Sequence, residues 1–290
     1  MKKLPMPDVV DTDILDGMRN YNTSSTGALI CAEYANLHAK YIEYNSCKGN
    51  PWSCIGNTIS EALRDRLEYH YNSPRTDLQY INEMRRKGSP DVCPLCGSAK
   101  TSTLDHYLPQ ANYPEWIVHS RNLVPACDCN SKRQNDVKGT NNNQRVLHPY
   151  FDECLTSRLV ITEITGDLLD PDIDLICVNR TLVHRDTVQF HINTVVKRST
   201  VFSWMEVKWQ TLVREPRLLI TAIPRERVEL NMHGLETCLR ETLSDKDDEY
   251  GTKNNWYSML IAGILSSKSV KVWLLSRHNA IVNGLIDRFD

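Results

Sequence analysis

The sequence predicts an α+β chain: a small cysteine-stapled finger embedded in a mostly helical chain. Three observations carry that expectation. Two close cysteine pairs, Cys93/Cys96 and Cys127/Cys129, bracket a polar stretch that includes Asp105 and His106. Apolar residues recur at helical spacing on both sides of it. Strand-like runs, dense in Ile, Val and Leu, are confined to residues 159–164 and 173–178, with 188–192 as a candidate third.

The bulk numbers set limits. A chain of 290 residues, 41% apolar and 24% charged, has the composition of an ordinary globular protein with room for one large or two modest domains. Its net charge of −2 excludes a globally basic nucleic-acid binder. Between residues 84 and 145, however, nine basic residues face five acidic ones, so that stretch carries +4 and the remainder −6. No run approaches the ~20 apolar residues of a membrane span, and the first residues lack a signal-peptide core. The expectation is therefore a cytoplasmic chain with no membrane association, whose thiols stay reduced and whose paired cysteines bind metal. The other six cysteines read as small buried hydrophobes.

Taken in order, residues 1–88 form a helical N-terminal region. Residues 1–24 are polar with weak periodicity and read as a partly ordered lead-in. Ile30, Tyr34, Leu37, Tyr41 and Tyr44 then line one stripe of a helix starting near Ser25 or Thr26, and core packing explains the tyrosines better than base stacking. Thr58 and Glu61 frame a capping box that opens a helix with Ile59, Ala62, Leu63 and Leu67 inward. A third helix over 77–87 ends on Arg85, Arg86 and Lys87, which either complement the helix dipole or meet phosphate. After the finger, residues 156–290 read as short strands followed by helices over 193–214, 226–243 and 255–265. The acidic run 245–249 reads as a solvated turn. No catalytic motif is visible there, and no GxxxxGK[ST] loop occurs anywhere in the chain.

The finger, residues 89–155, holds the chemistry. Cys93-Pro-Leu-Cys96-Gly97 is half of a zinc knuckle, and Cys127 with Cys129 can supply the other half. Four thiolates suit a closed tetrahedral Zn²⁺ site, which in so small a unit supplies much of the folding free energy. Because the second pair is C-x-C, His148 or Cys154 stands as an alternative ligand. Asp105 and His106 join a carboxylate, suited to Mg²⁺ or Mn²⁺, to an imidazole able to take a proton near neutral pH. Asn130 opens a helix over 130–137, whose N-terminus favours phosphate, with Lys132 and Arg133 on its first turn.

Cysteine pairs, Asp105-His106, Asn122 and Asn130 at these spacings resemble the HNH endonucleases, which cut nucleic acids with a divalent metal on a ββα finger. In those proteins the second pair is usually C-x-x-C, so this chain departs there. The resemblance implies that Asp105 ligates the catalytic metal, His106 activates water, Asn122 fixes the His106 ring or its backbone, and Asn130 gives its amide oxygen to the metal. Lys132, Arg133 and His148 would meet the DNA or RNA. The runs Asp105 to Pro109, Asn122 to Cys127 and His148 to Asp152 are further similar to the HNH subunits of anti-phage defence systems of the Septu (PtuB) kind and of Septu-like retron effectors. That similarity implies an SMC- or ABC-like ATPase partner docked on the C-terminal region and, in retrons, a reverse transcriptase with its noncoding RNA or msDNA. Two rivals remain: a stand-alone restriction- or homing-type HNH nuclease, which would carry a sequence-reading module, and a zinc-finger binding module without catalysis, which a plasmid-nicking assay with Mg²⁺ would separate.

Overall fold

The computed structural model describes residues 1–21, 25–86, 90–178, 184–226 and 228–286. The elements run α1 (Asp11–Arg19), α2 (Ser25–Ser46), α3 (Glu61–Asn72), α4 (Gln79–Arg86), β1 (Thr103–His106), β2 (Leu123–Ala126), α5 (Cys129–Arg133), β3 (Val160–Thr165), β4 (Asp172–Cys177), α6 (Arg185–His191), α7 (Val201–Arg214), α8 (Met232–Tyr250), α9 (Trp256–Ser266) and α10 (Lys268–Val282). The fold is mixed: many helices and two antiparallel two-stranded sheets, β1–β2 and β3–β4.

The N-terminal helices form as their apolar spacing dictates. On α2, Ile30, Leu37, Tyr41 and Tyr44 are buried while Tyr34 stays at the rim, where its hydroxyl donates to Asp16. Helix α3 is capped by Ser60, whose Oγ accepts from Leu63 N at 3.3 Å. Thr58 is drawn instead to the Glu115 carboxylate, and of the expected inward residues Leu63 and Leu67 are buried but Ala62 is exposed. The lead-in is more ordered than its polarity suggested: Leu15 and Met18 of α1 bury against α2, and Asp11 accepts from Ser120 N and Oγ at 2.6 and 2.8 Å. Helix α4 ends at Arg86, and Lys87 lies outside the described residues.

Three expectations fail in the C-terminal half. Residues 188–192 are not a strand, because Val188, Ile192, Val195 and Val196 recur at helical spacing and bury one face of α6 and the π-turn that continues it. That turn and α7 are separate, divided by a turn over 197–200. The acidic run lies inside α8 rather than in a turn: Asp247 accepts from Arg158 at 2.6 Å, and the helix ends only at Gly251. Helix α10 had no counterpart in the sequence reading. Among the described residues, no single helix is long and apolar enough to cross a membrane.

Two apolar clusters result. The larger is continuous from α1 and α2 through Tyr107, Trp116 and Val124 of the finger to α6 and Trp256. The finger therefore shares its core with both flanks. The smaller cluster joins α7, α8, α9 and α10. Helix α9 packs on β3 so closely that a Cβ placed on Gly263 would sit 1.9 Å from Thr162 Oγ1 and 2.4 Å from its carbonyl oxygen. Gly263→Ala must push that helix off the sheet. A destabilisation of about 1–3 kcal/mol is expected, read as a lower urea midpoint, and an unchanged midpoint would mean that α9 does not seat on β3 this way.

Candidate active site and cysteine cluster

The four finger cysteines converge. Their sulfurs all lie within 4.8 Å of one another and are buried, with Cys93–Cys129 at 3.6 Å and Cys96–Cys127 at 3.4 Å. A tetrahedron with Zn–S bonds of about 2.3 Å has edges of roughly 3.8 Å, so the cluster could hold a structural zinc ion. The tight C-x-C pair directs both sulfurs inward because Asp128 between them turns out to solvent, where it pairs with Lys132 at 2.7 Å. His148 and Cys154 are not part of the cluster. Gly97 makes the knuckle turn at φ +86°, in contact with the Asn254 carbonyl, and its N–H donates to Cys93 O. The knuckle is held from outside by Trp256 Nε1 to Cys96 O at 2.8 Å and by His191 Nε2 to Leu95 O at 2.7 Å.

Strand β1 ends on Asp105 and His106, paired with Val124 and Leu123 of β2. Just beyond β2, the cysteine pair starts α5, whose second residue is Asn130. These elements bring Asp105, His106 and Asn130 together at one cleft of about 260 Å³. The Asp105 carboxylate accepts from His106 N at 2.8 Å. Burial pushes its pKa up, but hydrogen bonds from His106 and Asn130 outweigh that and leave it below its ordinary value. Asn130 Oδ1 is buried and without a hydrogen-bond partner. An orphaned amide oxygen beside a carboxylate is a hard-oxygen pair of the sort Mg²⁺ or Mn²⁺ takes.

The His106 ring is 4% exposed. Its Nε2 lies 2.9 Å from Ile117 O, which can only accept, so Nε2 carries the proton in the neutral ring. Nδ1 is then the free lone pair, 3.8 Å from Asp105 Oδ1. Asn122 does not touch the ring. It clamps the backbone instead: Oδ1 accepts from Leu108 N at 2.8 Å, and Nδ2 donates to Leu108 O and Trp116 O at 3.2 and 3.1 Å. Both ends of the segment that contacts His106 are thereby tied to one side chain.

Two expected phosphate contacts are corrected by burial. Arg133 is 1% exposed, and its Nη1 and Nη2 donate to Tyr107 O and His106 O at 3.0 and 3.2 Å. It braces the end of β1 from within. His148, also 1% exposed, accepts from Tyr150 N at Nδ1, so its Nε2–H faces Tyr44 Oη at 3.0 Å and the Tyr44 hydroxyl donates on to Asn122. Lys132 is exposed and paired with Asp128. Motif reasoning missed Tyr71, whose ring packs 4.6 Å from that of His106 and whose hydroxyl donates to Leu104 O. Arg85 stacks its guanidinium 4.6 Å from the Tyr71 ring. The basic end of the third predicted helix was the only signal for that contact.

Over 176 residues, 54% of this chain, the sequence is 28% identical to protein ea31 of Escherichia phage lambda. Over 110 residues, 33% of the chain, it is 28% identical to the Septu protein PtuB of Bacillus thuringiensis. The matched stretches span 59% and 41% of those proteins. No family model matches the chain, and no solved structure matches it either. The similarity to PtuB supports a distant relation to that family.

Two outcomes test this site. Purified protein should carry about one zinc per chain, and Cys129→Ser should lose most of it along with thermal stability. Full zinc content in that variant would remove Cys129 from the ligand set. The second concerns acid. Burial lowers His119 to about 4 and His148 and His191 to about 3. Unfolded, each takes a proton near 6.5, so below that pH the unfolded chain binds more protons than the folded one. Stability is then full above about 6.5 and falls as pH drops toward the folded values, by up to about 1.4 kcal/mol per pH unit for each ring. Thermal melts from pH 7.5 to 4.5 should show this, and a flat profile would mean that the rings are not sealed.

Proposed function

We propose that this chain is a metal-dependent endonuclease of the HNH kind that hydrolyses phosphodiester bonds in DNA or RNA and serves phage defence. The observation that carries the reading is the cleft: the orphaned Asn130 Oδ1, the Asp105 carboxylate and the unprotonated Nδ1 of His106 meet there. Asp105 and Asn130 would hold the divalent ion, which when bound supplies Lewis-acid polarisation of the phosphate and stabilises the leaving oxygen. His106 Nδ1 takes a proton from water as its oxygen bonds to phosphorus and the P–O3′ or P–O5′ bond breaks. The departing oxygen is protonated from solvent. The imidazolium formed is stabilised by Ile117 O at Nε2 and by the Asp105 carboxylate, 3.8 Å from Nδ1. Asn122 keeps the ring aimed by pinning Leu108 and Trp116.

The defence role rests on the PtuB similarity, and an ATPase partner, with or without a retron reverse transcriptase, rests on the same family reading. The similarity to a protein of phage lambda runs longer. It favours keeping the stand-alone nuclease as the second reading. Truncating the chain after about residue 193 cannot separate the two, because Trp256 holds the cysteine knuckle and its loss would damage the site itself. Affinity capture of the intact chain from cells expressing the neighbouring reading frames is the suitable test of the partner.

The reaction is tested by nicking of plasmid DNA and cleavage of RNA with Mg²⁺ or Mn²⁺. His106→Ala should lose about 10²–10⁴ in rate with metal and zinc binding retained. Asp105→Ala and Asn130→Ala should raise the metal concentration needed. Full activity in His106→Ala would overturn the assignment of the base, and no cleavage of any nucleic acid by the wild-type chain or its complex would favour the binding module.

A further inference from the structure

The nuclease reading leaves the cleft short of cations. The two basic side chains on α5 are engaged: Arg133 is sealed beneath β1 and Lys132 is paired with Asp128. A phosphodiester brings a negative charge next to the Asp105 carboxylate. A divalent ion balances those two charges, and a further cation at the edge of the site would strengthen the hold on the phosphate.

The last turn of α4 offers one. Arg85 Nη2 donates to Tyr71 O at 2.7 Å, and its Cζ lies over the phenol ring, 4.6 Å from the centroid. The same ring also neighbours the His106 imidazole, at 4.6 Å between centroids with the two planes tilted by 54°. Tyr71 is fixed by its hydroxyl, which donates to Leu104 O on β1. Burial holds the Tyr71 phenol above its ordinary value, and Arg85 and Asp105 act on it in opposite senses, so both charges are close to the same ring. Guanidinium carries five N–H donors in a planar fork, more than the bond to Tyr71 uses, and it is half-buried with a face toward solvent. Contact of Tyr71 with both groups ties the position of the cation to that of the proposed base. The Arg85 hydrogen bond leaves its own helix for a last-turn carbonyl of α3, which anchors the arginine beside the Tyr71 ring.

We propose that Arg85, linked to His106 through Tyr71 rather than lining the cleft itself, contacts a phosphate of a strand laid across this site, and that Tyr71 positions it relative to His106. The assignment rests on the nuclease reading for its substrate, but its test does not require cleavage. Fluorescence anisotropy of labelled duplex and single-stranded DNA and RNA is measured on the zinc-loaded full chain, without added Mg²⁺ or Mn²⁺, across a salt series. Each phosphate contact contributes about 0.9 to the slope of log affinity against log salt for duplex, and about 0.7 for single strands. Arg85→Ala should make the slope shallower by about that amount, and Arg85→Lys should restore most of it. Tyr71→Leu, which removes the platform and leaves the arginine, should weaken binding as well. Arg240→Ala, on α8 and paired with Glu236, should leave the slope unchanged. A fold defect would lower the active fraction in titrations without changing the slope.

An Arg85→Ala slope equal to that of wild type overturns the proposal, as does an absence of measurable binding by the wild-type chain. If the wild type cleaves with Mg²⁺ while the Arg85→Ala slope is unchanged, the nuclease reading stands and this contact falls. If the slope depends on Arg85 but no divalent ion brings cleavage, the contact stands and the nuclease reading falls.

Discussion

Four thiol sulfurs buried within 4.8 Å of one another are the constraint on which the rest depends. They come from two turns more than thirty residues apart in sequence, and both turns sit inside the main core. Four thiols packed there without a metal would be desolvated groups with only weak mutual hydrogen bonds. A Zn²⁺ ion converts the same arrangement into strong bonds, and its binding free energy becomes folding free energy. The second pair also sets where β2 stops and α5 starts, which puts Asn130 directly after Cys129. In this way a structural cluster determines where a candidate catalytic oxygen points. The position of Asn130 follows from the sulfurs next to it and from its hydrogen bond to Asp105, while its Oδ1 has no partner.

The finger does not hold itself up on metal alone. A unit of its size would have little core of its own, but it shares the main core with both flanks. Trp116 Nε1 donates to Lys40 O on α2, Tyr44 joins Asn122 to His148, and Asp11 on α1 caps Ser120. These are long-range contacts from elements that the motif does not mention. They make the segment carrying Ile117 O rigid, and this oxygen fixes the tautomer of His106. Preorganisation of the proposed base is thus distributed over the N-terminal helices, whereas the motif holds only the base itself.

What the sequence made legible follows from what its signals measure. Cysteine spacing measures proximity, and it located the cluster even with the irregular C-x-C pair. Apolar period measures burial, and it placed α2, α3 and α9. It failed for 188–192, where β-branched residues outvoted a helical period read over too short a window, and for 245–249, where charge was taken for a turn although Arg158 waits across the groove. Lone polar residues carry no record of depth. Arg133 and His148 therefore looked like surface contacts, while the fold uses one as a strut beneath β1 and the other as a neutral hydrogen-bond link. Cys47 and Cys54 were read as separate hydrophobes, yet their sulfurs lie 2.9 Å apart across a tight loop, since a C-x₆-C spacing has no signature that would join them.

The electrostatics of the cleft follow from these burials rather than from net charge. A local excess of +4 suggested an accessible basic patch, but it counted Arg133, which faces two carbonyls, and Arg145, which is locked to Asp152 by two bonds at 2.7 and 2.6 Å. Subtracting charges already committed inside the fold leaves little to grip a long polyanion. Affinity for nucleic acid rises steeply with the number of phosphates met, so a chain with few uncommitted cations reads geometry at one phosphate better than it holds a strand. On the proposed reading the cleft would serve a step of chemistry, and the grip on the rest of a substrate would come from the remaining surface in small increments or from another chain.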